Sequence, residues 1–210
     1  MKSLITIILL SISLNMHAQS PSPTGIYYLE GVMETASGFK LDPDSTFEFF
    51  FSQGALDRTG KGSWNQIGNM VILKSAGKPG PGFILQKSSK EKHSKNVLVI
   101  NEPNSMLLSF IYVRLYENDQ SEFMKMGTDG RMELESDKFT KIEFLFELCP
   151  ERIYSFEKTK EQGNYFEFTI DPGIMDVYFD NIAYKIEGDY LKGKHPLLRG
   201  DEFSFLKEKH

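Results

Sequence analysis

The residues of this chain best suited to chemistry lie between Ser52 and Trp64. The stretch Ser52-Gln53-Gly54-Ala55-Leu56-Asp57-Arg58-Thr59-Gly60-Lys61-Gly62-Ser63-Trp64 sets an acid beside a base among three glycines, and it is longer than a hairpin turn requires. If the flanking segments form a β-meander, Asp57 and Arg58 project at one end of it beside Glu34 and Ser37. They would then line the mouth of an aromatic cavity floored by Tyr27, Phe49 and Trp64, a place for a small ligand. The competing reading is structural: Asp57 pairs with Arg58 or caps its own turn, the glycines satisfy positive φ, and Trp64 fills the core. Glu34 and Asp57 are also the one pair of acids that a meander could bring to a common cleft, as hydrolysis by paired carboxylates needs.

Other candidate chemistry is thinner. Asp42, Asp44 and Thr46 have the alternation of oxygen ligands that opens a calcium loop, but the sixth position would be Phe47 instead of Gly and the twelfth Gln53 instead of Glu. A turn into a strand is expected there. Cys149 ends the alternating stretch Ile142 to Leu148, where a small buried hydrophobe is expected; a thiol nucleophile would need a base, and beyond the leader only His93, His195 and His210 are available. Gly77-Lys78-Pro79-Gly80-Pro81-Gly82 carries prolines that remove the backbone donors a phosphate loop uses. The chain has no Gly-x-Ser-x-Gly and no His-Glu-x-x-His. No catalytic residue, metal-ligand set or cofactor is therefore expected.

These side chains must be positioned by strands. The sequence holds 17 Phe, and they recur in short alternating runs, the period-2 pattern of half-buried strands. Phe47, Phe49 and Phe51 share one face of Ser45 to Ser52. Ile111, Val113 and Leu115 oppose Tyr112 and Arg114, while Phe166, Phe168 and Ile170 alternate with Glu167 and Thr169. Ile182, Tyr184 and Ile186 alternate with Lys185 and Glu187. Turns are expected at Asp42-Pro43-Asp44, Gly68-Asn69, Asp129-Gly130, Asp171-Pro172-Gly173 and Glu187-Gly188-Asp189. The expected fold is all-β: two small antiparallel lobes, a meander or half-barrel over 21–95 and a sandwich over 96–210, standing apart or packed as one body. Tyr178, Phe179, Tyr184 and Tyr190 could offer an aromatic surface, although alternation would send half of such residues inward.

Residues 1–20 read as a cleavable secretion signal. Lys2 precedes the apolar run Leu4 to Leu14, which is shorter than a membrane-spanning helix needs, and Ala18 and Ser20 suit a signal peptidase. No cysteine follows the run, so no lipid anchor is expected, and the single Cys149 allows no intramolecular disulfide. The expected location is periplasmic or secreted. With 24 basic and 29 acidic residues the net charge is −5, and the acids are scattered, which argues against nucleic acid. The cluster Lys87, Lys90, Lys92 and Lys95 reads as a solvated loop.

The style of the leader, a single early Lys and an ending in Ala-Gln, resembles exported proteins of Bacteroidota. Gly25-Ile-Tyr-Tyr, Asp44-Ser-Thr-Phe47, Gly62-Ser-Trp64 and Gly68-Asn69, in that order, resemble the small lipocalin-like β-meanders of exported bacterial proteins. The rhythm of Phe110 to Tyr116, Thr128 to Leu134 and Ile142 to Leu148 is similar to the transthyretin-like regulatory sandwiches attached to exported carboxypeptidases, with Met132 at their aromatic position. Both resemblances imply a non-catalytic scaffold. The resulting expectation is an exported, non-enzymatic binding or accessory module for a small ligand or envelope partner. A cell-envelope hydrolase using Glu34 and Asp57, or an inhibitor or immunity-type protein, is the alternative.

Overall fold

A computed structural model describes residues 22–92, 95–116, 122–136, 138–159 and 163–209. The expected leader, His93 and His210 lie outside the described residues. Among the described residues there are sixteen strands and one four-residue helix, so the fold is all-β. In chain order the strands are β1 (Gly25–Leu29), β2 (Thr35–Leu41), β3 (Thr46–Gln53), β4 (Leu56–Ile67), β5 (Met70–Lys74), β6 (Phe83–Ser89), β7 (Asn96–Ile100) and, after the helix α1 (Ser105–Leu108), β8 (Ile111–Tyr116). They continue as β9 (Met124–Lys125), β10 (Arg131–Leu134), β11 (Lys141–Phe146), β12 (Ile153–Glu157), β13 (Tyr165–Ile170), β14 (Ile182–Glu187), β15 (Tyr190–Gly193) and β16 (Phe203–Lys207).

Eight of these close a barrel in the order β1-β2-β3-β4-β5-β14-β15-β16, with β16 pairing back onto β1 and every pair antiparallel. It is an up-and-down barrel interrupted once, between its fifth and sixth strands. The interruption forms two four-stranded sheets, β10-β7-β13-β6 and β12-β11-β8-β9, which share one apolar core. Phe83 of one sheet stacks on Phe144 of the other at 4.4 Å, and Phe168 meets Phe144 and Phe156 edge-on at 5.0 and 5.1 Å.

Strand pairing crosses between the two expected segments. The boundary at 95/96 does not follow the strand pairing: β6 belongs with the sandwich through β13, and β14, β15 and β16 belong with the barrel. The physical reason is that five strands leave two open edges of unpaired backbone, and the last three strands cover both, converting a half-barrel into a closed one. Within the otherwise antiparallel sheets, β13 runs parallel to β7.

Three barrel hairpins turn on two residues, Gly54-Ala55, Gly68-Asn69 and Gly188-Asp189, each with its glycine near φ +60° at the first central position. This is the type II′ arrangement, whose twist matches that of paired strands. The segment from Ser52 to Trp64 is thus not a loop; all of it beyond Gly54-Ala55 is strand.

Candidate functional site

The up-and-down order sorts the connections to two ends of the barrel. One end carries short turns, Gly68-Asn69 and Gly188-Asp189, with residues 42–45 between β2 and β3. The other end, here the mouth, carries residues 30–34, the Gly54-Ala55 turn, the excursion through the sandwich and residues 194–202. Glu34, Ser37, Asp57 and Arg58 all fall at the mouth. Tyr27 and Trp64 lie toward the far end: the Tyr27 hydroxyl donates to Pro23 O at 2.8 Å and Trp64 Nε1 donates to Asp42 O at 3.0 Å.

Sharing an end does not make these residues converge. Asp57 and Arg58 are neighbours on one strand, so they point to opposite faces of β4, Asp57 outward to solvent and Arg58 inward. Glu34 is also exposed, at φ +56°, and the whole width of β3 separates it from Asp57, about 10 Å at ordinary strand spacing. Asp44, the centre of the calcium-like alternation, serves its turn by accepting from the backbone N–H and the hydroxyl of Thr46 at 3.0 and 2.6 Å.

Ser37 faces inward and meets a partner that sequence reasoning left unassigned. His195, from the connection between β15 and β16, places Nε2 3.0 Å from Ser37 Oγ, and both residues are buried. The backbone N–H groups of Leu197 and Leu198 both donate to His195 Nδ1 at 3.0 Å. Nδ1 therefore carries the lone pair and Nε2 the proton. The chain of donors runs from Nε2–H to Ser37 Oγ, whose own proton goes to Phe50 O at 2.8 Å. A serine nucleophile needs the reverse, a bare imidazole nitrogen facing the hydroxyl and an acceptor behind the other nitrogen. This pair is built to fix a loop. Burial pushes the imidazole down to about pH 4 for its protonation, so it is neutral at physiological pH. Its ring stacks on Phe205 at 5.9 Å and meets Phe49, Phe51 and Phe203 at 5.6 to 5.8 Å.

The other half of the mouth is filled by the chain returning from the sandwich. Phe179 is fully buried against Phe39, Phe47 and Phe49, with ring centroids at 6.0, 5.0 and 5.3 Å, each edge-on. Val177 is buried beside it. The Val177 N–H donates to Thr59 O at 2.8 Å, and past the end of β5 the Ser75 N–H donates to Phe179 O at 2.8 Å. Gly60 is a glycine for this reason, since a Cβ there would lie 2.7 Å from Val177 O and 2.8 Å from the Phe179 ring; Gly62 is one because a Cβ would run into Lys74 O at the end of the neighbouring β5. Phe179 and Tyr184 thus belong to the interior and not to an aromatic surface.

Arg58 ties this returning segment to both bodies. Its Nε donates to Met175 O at 2.9 Å and its Nη2 to Glu151 Oε1 at 2.6 Å. Arg152 Nη2 donates to Ile174 O and Asp176 O at 2.7 and 2.9 Å, and the Cys149 thiol donates to Ile174 O at 3.3 Å. Three successive carbonyls are held by two guanidinium groups and a thiol. Burial works against the charge of Glu151, but the hydrogen bond and charge of Arg58 outweigh it and hold the carboxyl below its ordinary range. Burial is the largest influence on Cys149 and raises its thiol above the ordinary range, opposed by Arg58; it stays protonated and donates.

The expected floor is packed as well. Tyr27 and Phe49 are buried in the interior, and burial, with the charge of Asp189 adding to it, pushes the Tyr27 phenol up to about 12. Trp64 is half-buried against the same core. Of the six residues expected to form a ligand site, the structure brings Ser37 and Arg58 into the filled mouth, leaves Glu34 and Asp57 in solvent, and uses Tyr27 and Trp64 in the far half of the barrel.

Compared with protein-family models, with curated proteins and with solved structures, the chain matches none of them.

Proposed function

We propose that this chain is an exported, non-enzymatic β-protein, a binding or accessory module of the cell envelope that engages its partner through its outer surfaces. The observation carrying this reading is that the barrel is filled: Phe39, Phe47 and Phe49 pack on Phe179, and His195 with Phe203 occupies the rest of the mouth. A barrel holds a small ligand only where its interior is left open. Export is supported by the charged start, short apolar run and small residues of 1–20.

Photocrosslinkers placed at the exposed positions Tyr28, Met33, Met106 and Ile153, which sample the barrel wall, its mouth, α1 and β12, test the surface reading in cells. A discrete adduct from one of these faces and none from the others is the expected result. No discrete adduct from any face, together with saturable uptake of a small molecule that quenches Trp64, would replace the surface reading with a ligand carrier. Sequencing the mature N-terminus from the exported fraction tests location, with Gln19 or Pro21 expected as the first residue.

A further inference from the structure

Among the described residues the sandwich ends in four open edges, those of β6, β10, β9 and β12. Three of them carry a device that discourages pairing with another chain. β6 is bulged, with Gln86 left out of its register with β13. β9 is two residues long, Met124–Lys125, and β10 is four residues long with Arg131 and Glu133 exposed. β12 has no such device: Ile153–Glu157 keeps register with β11 over all five residues, holds no proline and carries its only charge at the last position. Its register also fixes which backbone groups are open. The Lys158 N–H donates to Thr140 O at 2.8 Å, so Phe156 and Tyr154, of the same parity as Lys158, exchange bonds with Ile142 and Phe144. The N–H and C=O of Ile153, Ser155 and Glu157 therefore point away from β11, where no described strand pairs with them. The side chains are uncovered too: Ile153 is 52% exposed, Ser155 and Glu157 are exposed, and Phe156 on the inner face is only half-buried against the sandwich core.

We infer that β12 is a dimerisation edge, which pairs antiparallel with β12 of a second copy of this chain about a two-fold axis at Ser155. The strand's own sequence selects a second copy as its occupant. An axis at Ser155 pairs all five residues: Ser155 faces the partner's Ser155, Ile153 faces the partner's Glu157, and every residue with open backbone groups meets another, giving about six new hydrogen bonds. On the inner face Phe156 sits opposite the partner's Tyr154, and symmetry repeats the pair, so two aromatic cross-strand contacts cover the half-buried ring. On the outer face the exposed Ile153 lies beside the aliphatic stem of the partner's Glu157. The two Glu157 carboxylates stand at opposite ends of the paired strands, so no like charges face each other. An unrelated strand would have to supply each of these features separately, whereas a second copy brings all of them. The inference goes beyond the surface reading and stands without it, because self-pairing needs no envelope partner.

Sedimentation equilibrium of the purified chain from micromolar to millimolar concentration tests the pairing, with a monomer–dimer equilibrium expected. Ser155→Pro removes the outward N–H at the axis and its symmetric equivalent without touching a bond to β11, and it weakens dimerisation roughly 10-fold or more. If the proline variant does not fold, Ser155→Lys, which sets two like charges directly opposite, gives the same loss. Ser155→Cys tests the register: its two copies lie about 5.5 Å apart at Cα, within disulfide reach, whereas those of Ile153→Cys are roughly 13 Å apart. Mild oxidation links Ser155→Cys into a dimer and leaves Ile153→Cys and the parent, whose Cys149 is fully buried, unlinked. A parent that stays monomeric throughout, a dimer indifferent to both Ser155 substitutions, or cross-linking through Ile153→Cys in preference to Ser155→Cys would overturn the inference. A monomeric parent whose Ile153 photocrosslinker captures only a different protein would overturn it as well and give the edge to a foreign strand.

Discussion

Burial of His195 makes the stability of this protein fall as pH drops below the ordinary imidazole range. In the folded chain the imidazole protonates only near pH 4, against an ordinary value of 6.5. Between those values the unfolded chain binds the extra proton, so stability rises with pH across the window and is lost as pH falls through it. Protonation is disfavoured for two reasons in the structure. Charge would be placed among Phe49, Phe51, Phe203 and Phe205, and a proton on Nδ1 would displace the two N–H donors of Leu197 and Leu198. Applied to one site, a shift of this size costs about 2 kcal/mol between pH 7 and pH 5, and about 3 kcal/mol once pH falls below 4. Urea unfolding followed by the single tryptophan, Trp64, at pH 7 and pH 5 gives the loss for the parent chain and for His195→Gln. The parent should lose about 2 kcal/mol more than the variant over this interval, since every other titrating group is common to both. Equal losses, or a His195 ring resonance that titrates near 6.5 in the folded protein, would refute the reasoning.

Further outcomes follow from single contacts. Ser37→Ala leaves the His195 Nε2–H and the Phe50 carbonyl without their partner and should cost about 1 to 3 kcal/mol in urea unfolding. Gly60→Ala forces a methyl against Val177 O and the Phe179 ring and should cost about 2 kcal/mol or more. Gly54→Ala meets no atom within 4 Å and should cost only about 1 kcal/mol, the cost of its positive φ. Glu34→Gln and Asp57→Asn, both on the solvent face, should change stability by less than about 0.5 kcal/mol.

The all-β character and most barrel strands were legible because alternation in Phe47-Phe49-Phe51 and Ile182-Tyr184-Ile186 reports burial directly. Cys149 was read as a small buried residue and is fully buried. Closure was not legible, because nothing in β16 says that its partner is β1, some 175 residues earlier; that pairing is fixed by edge satisfaction, which is a property of the whole sheet. The same limit explains the error over Ser52 to Trp64. Three glycines with Asp57, Arg58 and Lys61 read as a loop, yet Gly60 and Gly62 are there because the segment at 177–179 and the backbone at Lys74 pass close to β4. Arg58 looked like a ligand-binding charge and is instead neutralised by Glu151, 93 residues away. A lone His195 without neighbouring ligands carried no signal in sequence, since its two donors and its serine meet only when the mouth is assembled.

The closed barrel interior is tested most directly by titrating the purified chain with benzene and with an anilinonaphthalene probe, following heat by calorimetry and emission from Trp64. The filled packing of Phe39, Phe47, Phe49 and Phe179 predicts no saturable heat and no change in Trp64 emission for the folded protein. Saturable one-to-one binding that alters Trp64 emission, with the fold intact, would contradict it.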